Sequence, residues 1–253
     1  MKLSFLGTGT SCGVPVIGCH CEVCQSADPR DQRTRCSALV ETASTRVLID
    51  CGPDFRQQIL PQPFRKIDGI LITHSHYDHM GGMDDIRPYC QFGEINVYAD
   101  PFAKEQMLEM LPYCFAENRY PGVPAIGLHE ILPHVPLQIG DLEIMPFEVM
   151  HGKLPILGYR IGPLTYITDM KTINDAELPY LEGTEVLVVN ALRFVKPHHS
   201  HQLVDDAIAF ARRVGARRTL LIHMCHDIGL HEEVNRQLPE SIELAYDGQE
   251  IVL

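Results

Sequence analysis

The sequence predicts an α/β domain of short strands alternating with helices, and three observations carry that reading. Short apolar runs rich in Val, Ile and Leu recur along the whole chain, separated by segments with apolar residues at helical spacing. Several of these runs end directly at a histidine or an aspartate, where open α/β sheets carry their chemistry. The 253 residues, 45% of them hydrophobic and 21% charged, suffice for one large domain over 1–253, and no shift in composition divides them.

Lys2 to Leu6 reads as the first strand, followed by Gly7-Thr8-Gly9-Thr10-Ser11-Cys12-Gly13, where glycine lets the backbone pass close to a neighbour. No lysine follows in the place a Walker loop requires, and the spacing is not a dinucleotide fingerprint. The N-terminal apolar run is too short for a signal peptide, and no stretch approaches a membrane span. Nine cysteines without an export signal point to a reducing, cytoplasmic setting and to thiols or metal ligands. Three of them, Cys19, Cys21 and Cys24, crowd a loop insertion near 18–36 and suit a tetrahedral structural zinc. The fourth ligand would come from His20, Cys36, Cys225, His226 or His231.

Ser37 to Thr42 and Thr45 to Asp50 read as two strands, and Asp54 to Leu60 as a short helix stopped by Pro61 and Pro63. Asp50 is placed to hydrogen-bond a ligand loop rather than to ligate. Ile67 to Thr73 is a buried strand that delivers Thr73-His74-Ser75-His76-Tyr77-Asp78-His79. Imidazole and carboxylate are the ligands of zinc, manganese or iron. His74 and His76 can turn to one ion, and Asp78 and His79 to another.

Asp84 to Cys90 reads as helix, Ile95 to Ala99 as strand, and Pro101 opens a helix through Leu111. Asn118 to Gly127 is a loop, and Ile139-Gly140-Asp141 a hairpin turn. Leu142 to Met150 is a strand ending at His151. Leu157 to Ile161 and Leu164 to Thr168 form a hairpin ending at Asp169. Asn174 to Leu181 is helical, and Val186 to Val189 is a buried strand. Leu203, Val204, Ala207, Ile208, Ala211 and Val214 recur at helical spacing. Arg218 to Ile222 is a strand ending at His223, and Glu232 to Gln237 a helix. Ile242 to Tyr246 and Glu250 to Leu253 read as a closing hairpin.

A net charge of −12 repels nucleic acid and acidic membranes, so neither is an expected partner. The basic stretches, Arg30 to Arg35 and Arg212-Arg213 with Arg217-Arg218, are short, and the second reads as a solvated helix face.

The pattern His74-x-His76-x-Asp78-His79 resembles the signature of the metallo-β-lactamase-fold hydrolases. The resemblance implies a four-layer αββα sandwich and makes His151, Asp169 and His223 further ligands, each at a strand end. His74, His76, His151 and Asp169 would take one ion, and Asp78, His79, His223 and Asp169 the other. Asp78 thereby counts as catalytic as well as ligating. Two such ions, roughly 3.5–4 Å apart, activate a hydroxide for attack on phosphorus. Gly-Thr-Gly-Thr near the start, Cys-x-Cys-x-x-Cys and His223-x-x-His226 look like the phosphoribosyl 1,2-cyclic phosphate phosphodiesterase branch. That branch implies a structural zinc on Cys19, Cys21, Cys24 and His226, a substrate-side His201 at the start of a helix, a small phosphodiester substrate and a homodimer. The sequence departs from the branch in the segment from Pro101 to His151 and at Asn190, where an aspartate would be unsurprising. A tRNA 3′-end-processing endonuclease, a lactone or thioester hydrolase and a metal- or redox-sensing module are the competing readings.

Overall fold

The computed structural model describes residues 1–253. Two seven-stranded mixed sheets pack face to face, with helices on the outer faces, giving four layers. The first half of the chain contributes β1 (Lys2–Gly7), β2 (Ser37–Glu41), β3 (Arg46–Ile49), β4 (Gly69–Leu71), β5 (Ile95–Ala99) and β6 (Ile126–Glu130). The second half contributes β7 (Leu137–Ile139), β8 (Leu142–His151), β9 (Leu154–Ile161), β10 (Leu164–Tyr166), β11 (Val186–Asn190), β12 (Arg218–Ile222) and β13 (Ile242–Leu244). A last strand, β14 (Glu250–Val252), returns to the first sheet beside β1.

The sheets share one plan. In the first, β14, β1, β2 and β3 are antiparallel neighbours, and β3 to β6 run parallel. In the second, β7 to β10 are antiparallel neighbours, and β10 to β13 run parallel. The carboxyl ends of the parallel strands therefore gather at one rim, and every sequence-predicted ligand outside the cysteine loop lies there or at the end of β8.

Strands buried on both faces explain the unbroken apolar runs. Val40, Ile49, Leu71, Tyr159, Tyr166 and Val188 fill the space between the sheets. Leu39, Leu48 and Ile70 point the other way, beneath the helices of the first half. Val149, Leu187 and Leu221 meet the helix Val204–Val214 in the same way. Each such side chain contributes on the order of 1.5–3 kcal/mol. No helix is long and apolar enough to cross a membrane.

Four elements differ from the sequence reading. The closing hairpin is not a hairpin: Leu244 pairs with Leu221 in one sheet and Ile251 with Leu3 in the other. Asp247 directs this crossover, because its carboxylate accepts hydrogen bonds from the Thr8 and Thr34 hydroxyls, each at 2.7 Å. The expected loop up to Gly127 is shorter, since Ile126–Glu130 pairs parallel with β5 as an edge strand. Met83–Phe92 and Asp175–Leu181 are 3₁₀ helices, and each contains a proline, Pro88 or Pro179, whose missing N–H disfavours α-helix. At the opposite end from the rim, the Leu253 N–H donates to the Met1 carbonyl at 2.8 Å, so the two termini lie side by side.

Close backbone approach fixes the loop that follows β4. A Cβ built on Gly52 would stand 2.1 Å from the Asp78 carbonyl oxygen. Gly52→Ala therefore costs about 1–3 kcal/mol of stability and shifts the urea midpoint down. An unchanged midpoint would show that this loop moves aside freely.

Candidate metal centre

The rim is ordered by one buried carboxylate. Asp50 follows β3, is fully buried, and holds a left-handed backbone with φ of 59°. It accepts a hydrogen bond from the Thr73 N–H at 2.8 Å, from the Thr73 hydroxyl at 2.9 Å, and from His79 Nδ1 at 2.7 Å. The Thr73 hydroxyl, having given its proton to Asp50, accepts from His74 Nδ1 at 3.0 Å. Both rings are thus fixed in the tautomer that turns an Nε2 lone pair toward the rim. His151 is set likewise, because its Nδ1 donates to the Asp169 carbonyl at 2.7 Å.

The freed lone pairs converge in two groups. His74 Nε2 and His76 Nδ1 lie 3.0 Å apart, and donor atoms of His74, His76 and His151 all fall within 4.8 Å of one another. Asp78, His79 and His223 form the second group. Asp169 stands between them. One of its oxygens is 3.1 Å from His79 Nε2 and the other 3.0 Å from His223 Nε2, while His74, His79 and Asp169 also cluster. The Nε2 atoms of His79 and His223 are buried without a hydrogen-bond partner. Buried lone pairs facing carboxylates are what a divalent cation satisfies, and this nitrogen and oxygen set suits zinc, manganese or iron.

Electrostatics agree with that fit. Burial opposes charge on His79, yet Asp169, Asp50 and Asp78 raise its pKa well above the ordinary imidazole value. Burial likewise opposes charge on His223, but Asp169 and Asp78 lift its pKa to about 9. Burial pushes Asp78 and Asp169 upward, and the neighbouring imidazoles outweigh it, holding both carboxyls well below their usual range. The carboxylates thus favour positive charge beside His79 and His223, and a metal bound there would displace the protons these rings carry.

Asp169 and His223 share the left-handed backbone of Asp50, with φ of 55° and 58°. A second clamp holds Asp169: the Asn190 side chain accepts from the Met170 N–H at 2.7 Å and donates to the Met170 carbonyl at 3.0 Å. An aspartate there lacks the donor, which accounts for asparagine at this position.

The cysteine loop meets the other side of the same rim. Sγ of Cys19 and of Cys21 lie 3.2 Å and 3.3 Å from His226 Nδ1, and Cys24 completes a group within 4.8 Å. Tetrahedral zinc with ordinary bond lengths gives sulfur–nitrogen edges of about 3.6 Å. The Cys24 N–H, His226 and Cys19 lower the Cys21 thiol to about 6, whereas burial pushes Cys24 up to about 11. None of the nine cysteines is in a disulfide. The other candidate fourth ligands lie elsewhere: His20 is exposed, and His231 Nδ1 faces Arg33 at 3.2 Å. Cys36 is buried and accepts from the backbone N–H of His223.

His201 also lies at the rim, with Nδ1 at 3.5 Å from Asp169. Two residues escaped the sequence reading. His198, which the sequence reading leaves unmarked, stacks on His201 with ring centroids 4.8 Å apart. Lys171 donates to the His201 carbonyl at 3.1 Å. The run Pro197-His198-His199-Ser200-His201 was the available signal for the first, and nothing in the sequence marks the second. Asp50→Asn keeps the shape of the hub but misplaces one of its donors. Affinity for zinc at the rim should fall about 10- to 100-fold in a competitive chelator titration, with the fold retained by circular dichroism.

Comparison with known proteins agrees with this geometry. The Beta-lactamase superfamily domain matches residues 45–224. A solved structure described as a new diphosphatase from the PhnP family is 38% identical, with a TM-score of 0.91, and the match covers 99% of this chain and 96% of that one. An octanoyltransferase of Porphyromonas gingivalis is 45% identical over 100% of this chain, and a ribonuclease Z of Methanopyrus kandleri is 27% identical over 64% of it. The chain spans about half the length of these curated relatives, 52% and 50%. The ligand loop, the paired sheets and these matches lead to one conclusion: the chain belongs to the β-lactamase superfamily and has the metallo-β-lactamase fold.

Proposed function

We propose that the chain is a dinuclear metal-dependent phosphodiesterase that hydrolyses a small cyclic phosphodiester of the phosphoribosyl 1,2-cyclic phosphate type. The observation that carries this reading is the position of Asp169, whose carboxylate contacts His79 and His223 of one group and lies within 4.8 Å of donor atoms of His74 and His151 of the other. His74, His76 and His151 would hold one ion, Asp78, His79 and His223 the other, and Asp169 both. When bound, such ions supply Lewis-acid charge at phosphoryl oxygens and acidify water. The 38% identical diphosphatase supports phosphorus as the electrophile.

The chain's own residues orient the substrate. Burial lowers the pKa of His201 to about 3, His223 adds to the effect, and Asp169 opposes it. The ring is therefore neutral and offers an N–H to a phosphoryl oxygen or to the departing oxygen. Asp78 and Asp169 stay ionised throughout the neutral range, because their pKa values lie below the usual carboxylate range. The net charge of −12 disfavours a precursor tRNA as substrate.

A second reading has one observation of its own. A cleft of about 450 Å³ lined by Pro101, Phe102, Leu154, Pro155, Ile156 and Leu157 opens beside the rim, and its polar lining includes Asp100 and Glu148. Leu154 pairs with His151, and the Leu157 N–H donates to the Thr73 carbonyl at 3.0 Å. Such a cleft suits an acyl chain, and the 45% identical relative is named an octanoyltransferase.

One panel separates the two: ribose 1,2-cyclic phosphate, bis(p-nitrophenyl) phosphate and an octanoyl thioester, with metal added back to the chelated chain. Phosphodiester turnover that vanishes in Asp169→Ala, with stability little changed, is the expected result. Turnover of the thioester alone would replace the first reading by the second.

We also assign Cys19, Cys21, Cys24 and His226 to a structural zinc. Cys21→Ser should lose about one zinc per chain and lower the melting temperature. A full zinc complement and an unchanged melt in that variant would remove the assignment.

A further inference from the structure

The backbone around Asp169 is held on both sides, yet none of those bonds reaches its carboxylate. The Asp169 carbonyl accepts from His151 Nδ1 at 2.7 Å, and Met170 is clamped by the Asn190 side chain and by the Gln202 N–H, the latter at 3.1 Å. The last torsion of an aspartate side chain has a broad minimum, so a fixed backbone leaves the carboxylate free to turn. One buried group takes up that freedom. Thr168 follows β10, is fully buried, and its hydroxyl donates to Asp169 Oδ2 at 2.7 Å. An ionised carboxylate only accepts, so the direction of this bond is fixed, and the charge makes it one of the stronger kind.

A competitor lies on the other side. His201 Nδ1 is buried without a hydrogen-bond partner, 3.5 Å from Asp169 Oδ1. The same oxygen lies 3.0 Å from His223 Nε2, and Oδ2 lies 3.1 Å from His79 Nε2. The carboxylate thus sits on the ligand side and stops short of His201. Turning it toward His201 would give the orphaned nitrogen a partner whenever Nδ1 carries the ring proton, and buried polar groups gain by finding one. The same turn would draw Oδ2 away from the Thr168 hydroxyl and break that bond. The two demands oppose each other through a single torsion.

We propose that Thr168 is a positioning residue: its hydroxyl keeps the Asp169 carboxylate turned toward the metal ligands and out of reach of His201. The proposal deepens the metal-dependent reading and rests on it. The same bond leaves the His201 ring uncommitted, as a group that meets substrate must be. Thr168 takes no part in bond making.

The test is the affinity of the full chain for manganese(II) after chelation, read from the electron paramagnetic resonance signal of the free ion and needing no substrate. Manganese prefers oxygen and nitrogen to thiolate, so the cysteine loop does not compete. Thr168→Val keeps the shape, removes the donor and should weaken binding about tenfold. Thr168→Ser restores the hydroxyl and should bind as the wild type does. In a His201→Ala background the Thr168→Val change should cost little affinity, because the competing nitrogen is gone. Circular dichroism checks each fold, and Thr168→Ala, which also lacks the donor, stands in if the valine variant does not fold. Unchanged affinity without the hydroxyl would overturn the proposal. So would an equal loss in Thr168→Ser, or a loss that His201→Ala does not relieve. A wild type that binds a single ion sinks the dinuclear reading, and the same comparison on that ion still decides the role of Thr168. A wild type that binds none overturns both.

Discussion

Everything at the rim depends on the burial of a carboxylate that touches no exposed atom. Asp50 sits at zero accessibility, and burial alone pushes its pKa up. It remains useful because its hydrogen bonds have defined directions: two donors from Thr73 and one from His79. Each bond orients something further out. One fixes the backbone where the ligand loop leaves β4, one turns His74 through the Thr73 hydroxyl, and one turns His79. The left-handed backbone at Asp50 is costly for a residue with a Cβ, on the order of 1–3 kcal/mol. The surrounding sheet enforces it, since the Asp50 N–H donates to the Leu71 carbonyl and the Ser37 hydroxyl to the Asp50 carbonyl.

The shared plan of the two sheets places Asp50 and Asp169 at corresponding positions, just past the last strand of each antiparallel run. That strand is the fourth of its run, β3 or β10, and the two conformations agree, with φ of 59° and 55°. Their surroundings do not. Asp50 is closed in by Thr73 and His79, while Asp169 keeps its oxygens toward three imidazoles: His79, His201 and His223. The equivalent of Thr73 in the second half is Asn190, which clamps Met170 through both side-chain atoms instead. One scaffold position thus orients ligands in one half and faces them in the other. The repeat has no visible counterpart in the sequence, because strand pairing conserves apolar alternation and not residue identity.

The side chains that gather at the rim were legible because metal chemistry restricts residue type and the strand ends restrict place. His74, His76, Asp78 and His79 announce themselves by spacing, and His151, Asp169 and His223 by following apolar runs. His226 as the partner of the three thiols came from the branch resemblance. What escaped depends on contacts between distant segments. The division of the last two strands between sheets rests on Asp247 reaching Thr8 and Thr34, more than two hundred residues away. The edge strand Ile126–Glu130 has only one sheet neighbour and a half-exposed sequence, so its pattern is weak. His198 goes unmarked in the sequence because nothing local shows that its ring meets Ser200 and His201.

The paired ends of the chain carry a consequence for architecture. Met1 and Leu253 meet on the edge farthest from the ligands, joined through β1 and β14. A second folded unit attached to either end would hang from that edge and leave the rim open. A short peptide bridging the two ends would close the chain into a ring, and new ends could then be cut in an exposed loop such as 117–122. The fold is thus suited to being carried as one half of a longer polypeptide, in either order.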